Sequence, residues 1–244
     1  MKCVPLLLCL MLAALAAGAA QDSVHTVIVP VVGTAFGPGV IWKTSVEIIN
    51  DTGSDAVVTL ELSAIPDSQF VLFRLAPGEV AQYPDILPAF GVDLALSPLR
   101  VDSFGSRAPT VRATVYALRG TEVSQPQPIA VYQGQSWFPL RALDGLSFSD
   151  EYRTNIGLVN FGDEEAEFVL VLQRLRGRNL AVTHTRVAPH SLTHASIQSL
   201  FPLIGRGDAF TVLVETGSTE TYAYGSVIDR DNNGRFVAPR VGTR

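Results

Sequence analysis

One nine-residue pattern occurs twice in this chain, and few folds accommodate such a repeat. Trp42-Lys43-Thr44-Ser45-Val46-Glu47-Ile48-Ile49-Asn50 returns 110 positions later as Tyr152-Arg153-Thr154-Asn155-Ile156-Gly157-Leu158-Val159-Asn160. Thr and Asn are the identical positions; otherwise aromatic answers aromatic, base answers base and branched aliphatics answer one another. A strand alternates faces with period two, so Trp42, Thr44, Val46 and Ile48 share one side, as do Tyr152, Thr154, Ile156 and Leu158. That side is expected to face a core. Each closing Asn precedes a polar, Gly-containing run, Asp51-Thr52-Gly53-Ser54 or Phe161-Gly162-Asp163-Glu164, where its side chain can bond the backbone and start a turn.

Other segments fall into the same register. Pro30 in the β-branched run His25–Val32 answers Pro139 in Ser136–Leu140, and Pro suits a first or edge strand better than a central one. The Gly-rich stretches Gly33 to Gly39 and Asp144-Gly145 are read as loops entering the repeated strand. Val58, Leu60, Leu62 and Ala64 alternate with Thr59, Glu61 and Ser63, the mark of a half-buried strand. The copy, Phe168-Val169-Leu170-Val171-Leu172, is apolar on both faces, so an outer surface there is expected to lie under the first half. Third strands are expected at Phe70–Phe73 and Leu180–Thr183. Ala76-Pro77 and Ala188-Pro189 set turns, and 84–91 and 196–202 have helical spacing. Closing hairpins are expected across 99–115 and 209–228, turning at Gly105 and Gly217.

About seven short strands per half is the pattern of an immunoglobulin-like sandwich. The expected fold is therefore all-β: two tandem immunoglobulin-like β-sandwiches, each with a short helical plug. Residues 24–120 and 136–240 are the expected sandwich domains, joined by a Pro-stiffened linker at 121–135. Residues 1–20 read as a signal peptide: a positive start at Lys2, an apolar run from Val4 and a small-x-small site at Ala17-Gly18-Ala19. Both cysteines, Cys3 and Cys9, lie inside that leader, which excludes disulfides and thiol chemistry from the mature chain. The expected location is secreted, periplasmic or cell-surface. The chain carries 18 Lys and Arg against 23 Asp and Glu, and loss of Lys2 moves the net charge from −5 to about −6. No basic stripe suited to phosphate counterion release is present, so nucleic acid is not an expected partner.

The aromatic-basic-Thr strand ending in Asn, the Ala-Pro turn, the helical plug and the closing strand Tyr222-Ala223-Tyr224-Gly225-Ser226-Val227-Ile228-Asp229 together resemble the immunoglobulin-like modules appended to bacterial secreted and surface proteins. The resemblance covers nearly the whole mature chain and implies a noncatalytic module; it carries over no site residues. A two-sandwich exported chain is also similar in outline to periplasmic pilus-assembly chaperones, which lend an edge strand to a client.

Four constellations are candidates for chemistry. Aligning the last strands of the two halves with the Val111, Ala113 and Val115 side inward turns Tyr222 and Tyr224 outward, where they are candidates to stack on sugar rings or anchor a protein. That makes a carbohydrate-binding module the alternative to a protein-interaction or structural module. Asp229-Arg230-Asp231-Asn232-Asn233-Gly234 reproduces the opening of a calcium loop, with Asp229, Asp231 and Asn233 as the oxygen donors. Its twelfth place is Arg240 rather than Glu, and the same residues are a good turn sequence. His190 and His194 have a zinc-ligand spacing for a helix, with His184 nearby, but a strand would hold them ~13 Å apart. Arg206-Gly207-Asp208 matches an integrin-read tripeptide, and Asn50-Asp51-Thr52 a glycosylation sequon; each also reads as loop or turn chemistry. No Gly-x-Ser-x-Gly elbow, Walker loop or dinucleotide fingerprint occurs, so neither catalysis nor a cofactor is expected.

Overall fold

The computed structural model describes residues 23–65, 70–105, 107–133, 140–174 and 178–241, with the backbone alone at 208 and 241. The leader and nearly all of the expected strand at 136–140 lie outside them. The first half runs through β1 (Ser23–Gly33), β2 (Ala35–Gly37), β3 (Val40–Ile49), β4 (Ala56–Leu62), β5 (Val71–Leu75) and β6 (Val80–Tyr83). A 3-10 turn at Leu87–Phe90, β7 (Leu96–Gly105) and β8 (Thr110–Arg119) complete it. After β9 (Glu122–Val123), β10 (Gln127–Ile129) and β11 (Tyr132–Gln133), the second half follows as β12 (Leu140–Phe148), β13 (Tyr152–Asn160), β14 (Ala166–Arg174), β15 (Arg178–Val187) and β16 (Ser191–Ser196). The four-residue helix Ile197–Leu200, β17 (Gly207–Thr216), β18 (Thr221–Asp229), β19 (Gly234–Val237) and β20 (Arg240–Val241) close the chain.

The chain is nearly all β, in antiparallel sheets. In the first half β11-β1-β7-β4-β5 forms one sheet and β10-β8-β3-β2 another, with β6 on β3 and β9 on β8. In the second half the orders are β15-β14-β17-β12-β20 and β16-β13-β18-β19. The order β1-β7-β4-β5 thus recurs as β12-β17-β14-β15, and β8-β3-β6 as β18-β13-β16. Inward-facing residues of each sheet pair make one buried cluster per half, the first around Ile48, Leu60 and Leu99, the second around Ile156, Phe168 and Phe210. The short helices sit where the sequence places them and bury Leu87 and Phe90 in one half and Ile197 in the other.

The two invariant positions of the repeat have matching physical roles. Thr44 Oγ1 accepts from the Gly33 N–H at 3.1 Å, and Thr154 Oγ1 accepts from Ser147 N–H at 3.1 Å while donating to the Ser147 carbonyl at 2.6 Å. Thr44 thereby ties the repeated strand to the end of β1, and Thr154 ties its copy to β12. Asn50 Nδ2 donates to the Ser54 and Leu75 carbonyls, both at 2.8 Å, and its Oδ1 accepts from Thr52 N–H. Asn160 Nδ2 donates to the carbonyls of Glu164, Val187 and Ala188, and its Oδ1 accepts from Gly162 N–H. Both side chains are fully buried and tie a turn to a neighbouring strand end, work for which a short amide with donors and acceptor is needed.

Several local expectations change, among them the closing hairpins: β7 and β8 belong to different sheets, as do β17 and β18, so each pair crosses between sheets instead of pairing as a hairpin. The stretch read as linker, 121–135, contributes β9 and β10 to the sheet of β8 and β11 to that of β1. Its prolines are compatible because β10 and β11 are edge strands of two or three residues. The two Gly-rich loops are also partly strand: β2 pairs with β3, and Asp144-Gly145 lies inside β12, where the register shifts and Gly145 takes φ +67°. Pro30 sits where the β1–β7 register breaks between Val29 and Val32, so no ladder bond is lost to it. Val169 and Val171 of β14 are half-buried, and the face on which the first half packs belongs to the other sheet.

Candidate functional site

In β13 and β18 the core takes Thr154, Ile156 and Leu158 from one strand and Ala223 and Val227 from the other, leaving Arg153, Asn155 and Gly157 on the opposite face beside Ile228, Ser226 and Tyr224. Tyr222 and Tyr224 are therefore on the side of the sheet turned away from their own sandwich interior, as the strand alignment predicts. They are not exposed: Tyr222 is 5 % and Tyr224 1 % accessible, which corrects their reading as an outward stacking surface. The first half covers Tyr222, and Tyr224 is enclosed by Phe236 and His194 of its own half. Tyr132 of β11 packs on Tyr222 with ring centroids 5.6 Å apart, and Val31 of β1 joins the same cluster. Tyr224 stacks on Phe236 at 5.1 Å with planes 16° apart, and Phe236 reaches both cores. Burial pushes the Tyr222 hydroxyl up to about 12 and the Tyr224 hydroxyl higher still, so both remain protonated donors at physiological pH.

Gly157 makes this packing possible. It lies opposite Tyr224 in the ladder, and a side-chain carbon on it would fall 2.1 Å from the ring. The matching position in the first copy is Glu47, paired with Arg112 on an exposed face. An isolated Gly inside a strand signals close approach of another group, and this was the one sequence cue to the seam.

His194 of β16 also lies opposite Gly157, with Nδ1 2.9 Å from the Tyr224 hydroxyl. The residue as a whole is exposed, but its ring lies 5.9 Å from that of Tyr224, and desolvation there holds its pKa below the ordinary 6.5. The unfolded chain then takes up this proton first as pH falls. Stability is fully present above about 6.5 and is lost as pH drops through the lower folded value. His194→Gln is expected to flatten that part of the denaturation-midpoint profile, and an unchanged slope would show that His194 is not its source.

The other candidates resolve into turns and surface pairs. Asp229 Oδ1 accepts from Asn233 N–H at 2.8 Å and Oδ2 from Asn233 Nδ2 at 3.0 Å, closing the β18–β19 hairpin. The Asp231 carbonyl accepts from Arg119, and Asn232 adopts φ +61°. Asp229, Asp231 and Asn233 thus serve a tight turn, and no group of three or more His, Cys, Asp or Glu suited to a metal occurs among the described residues. The histidines have separate neighbours: His184 meets Glu167, His190 meets Asp163 and His194 meets Tyr224. Arg206 pairs with Asp150, and Gly207 opens β17 opposite Phe148. The sequon asparagine is spent internally, both amide protons being donated to carbonyls.

Beside the seam lies a crevice of about 420 Å³. The first half supplies Phe36, Trp42, Val115 and Ile129, and the second half supplies Tyr224, Phe236, His194, Arg153 and Arg235. Trp42 leads the repeated strand on its core-facing side, and its ring would be only 3.3 Å from a side-chain carbon on Gly234. The crevice is apolar along its walls and cationic at one side, and concave sites of this size and make-up suit small ligands.

The architecture defines a nearly all-β protein of antiparallel sheets in which a strand order occurs twice. Compared with family models, with curated proteins and with solved structures, the chain matches none.

Proposed function

We propose that the chain is an exported, noncatalytic interaction module built from two tandem immunoglobulin-like domains, which presents a sheet edge to a protein partner at the cell surface, in the periplasm or outside the cell. The observation that carries this reading is β15. It is ten residues long, and among the described residues it ends its sheet and pairs only with β14. Leu180 and Val182 on it are exposed, it contains no proline, and its charged residues, Arg178 and Arg186, stand near its two ends. Proteins ordinarily protect long edges with charges, prolines or short strands, because a free ladder edge recruits another strand. Here the available backbone groups and alternating apolar side chains are what strand addition uses for affinity and selectivity. Export rests on the leader read from residues 1–20. Tyr222 and Tyr224, which motivated the carbohydrate-binding alternative, are both buried and give it no support.

The test is capture of a partner from the native exported fraction by the parent protein and by a Leu180→Lys, Val182→Lys double variant. Like charges along the edge are expected to abolish capture and leave the melting temperature within a few degrees. Capture that survives both substitutions removes the edge from the mechanism, and a saturable glycan-array signal without any protein partner returns the carbohydrate reading.

A further inference from the structure

The repeat offers a direct comparison between its two basic residues. Lys43, in the first copy, is ion-paired with Asp85, which raises its pKa. Arg153, in the second copy, lies on the crevice side of its sheet and donates through Nη2 to Asn232 Oδ1 at 2.9 Å; among the described residues no carboxylate pairs with it. Arg235, on β19 at the edge of the same sheet beyond β18, donates to the Gly145 carbonyl and likewise has no carboxylate partner among the described residues. Two guanidinium groups therefore border an apolar crevice with their charge not balanced by a contact ion pair.

A third donor joins them. The position a side-chain carbon would take on Gly37 is 3.1 Å from Trp42 Nε1 and 3.5 Å from Arg153 Nη2. The indole N–H and the guanidinium thus lie close together on one side of Gly37, where Val40 Cγ2, 2.9 Å from the same position, closes the space directly against the backbone. Among the described residues, the Trp42 indole N–H meets no protein acceptor within hydrogen-bonding distance. A guanidinium and an N–H donor close together can recognise an oxyanion, whose charge-assisted hydrogen bonds are the strong ones. The adjoining walls, Phe36, Val115, Ile129 and Phe236, have no charge and suit an apolar body.

We infer that the crevice between the two halves is a binding site for a small amphipathic monocarboxylate, its carboxylate beside Gly37 between Trp42 and Arg153 and its apolar tail along Phe36, Val115, Ile129 and Phe236. A volume of about 420 Å³ admits an arylalkanoate or a medium-chain fatty acid. The site involves none of the β15 edge, so it stands or falls independently of the partner reading.

Calorimetric titration of the whole mature chain with 4-phenylbutyrate and octanoate, and with the corresponding alcohols 4-phenylbutanol and 1-octanol, tests this. At least one acid is expected to give saturable binding, with its alcohol about tenfold weaker or worse, and the better acid distinguishes an aryl from an alkyl tail. Arg153→Gln is expected to weaken the acid about tenfold and leave the alcohol unchanged, and Trp42→Phe, which keeps the apolar ring and removes the N–H, to weaken the acid less. If Arg153→Gln does not fold, Arg235→Gln and the acid-to-alcohol ratio of the parent carry the test. The inference is overturned if neither acid saturates at millimolar concentration, if acid and alcohol bind alike, or if the folded arginine variants bind the acid as the parent does.

Discussion

Gly157→Ala is expected to destabilise the protein by ~3 kcal/mol or more, a large effect for one added methyl. The new carbon would lie 2.1 Å from Tyr224 Cε1 and Cζ and 2.6 Å from its hydroxyl oxygen. A flexible exposed ring would swing away at little cost. Tyr224 is buried, stacked on Phe236 and bonded to His194, so moving it disturbs the seam between the halves as well as its own strand. Equilibrium urea denaturation reads the loss as a lower midpoint. Adding Tyr224→Leu to Gly157→Ala is expected to cost less than the two single changes together, because the clash disappears with the ring. A midpoint unchanged in Gly157→Ala would mean that no aromatic side chain lies over this glycine, and the covered face would have to be redrawn.

Truncating either repeated asparagine carries the second large effect. Asn160→Ala removes the donor to three backbone carbonyls and the acceptor for Gly162 N–H, and Asn50→Ala does the equivalent for Ser54, Leu75 and Thr52. Water does not reach either site, so the orphaned groups bear their desolvation penalty without compensation. A loss of ~2 to 4 kcal/mol is expected for each, and the two losses should be similar because the hydrogen-bond patterns are alike. Guanidinium denaturation of both variants measures this. A cost below ~0.5 kcal/mol for Asn160→Ala would show that the buried amide is not the hub joining turn and strand.

Much of the strand plan was legible because strand periodicity is local. β13 spans the nine residues predicted for it, and Trp42, Thr44, Val46 and Ile48 share the face expected of them. The helical turns near Phe90 and Leu200 followed from spacing over a few residues. What failed were inferences about segments too short for any period. β2, β9, β10 and β11 have two or three residues each, and they exist as strands because a longer partner supplies the ladder.

The candidate site was less legible. Alternation placed Tyr222 and Tyr224 on the outer face of their sheet but is silent about whether another surface lies on that face. Nothing in the neighbours of Asp229 distinguishes an ion loop from a hairpin turn closed by its own carboxylate until Asn233 is seen bonded to both oxygens. The crevice draws on Gly37 and Trp42 from one half and Arg153 and Phe236 from the other, residues more than 100 positions apart in part, and no local pattern relates them.

By itself the sequence determined the all-β character of the chain, the repeated strand, the face its Thr occupies and the turn role of its Asn, since these follow from side-chain alternation and from hydrogen-bonding capacity within a turn. Only the tertiary structure decided that the two tyrosines are covered, that Gly157 must remain without a side chain, and that Arg153 borders an apolar crevice while Lys43 is paired. Those outcomes depend on how two surfaces distant in sequence meet, and the distances between their atoms are fixed by packing rather than by any spacing along the chain.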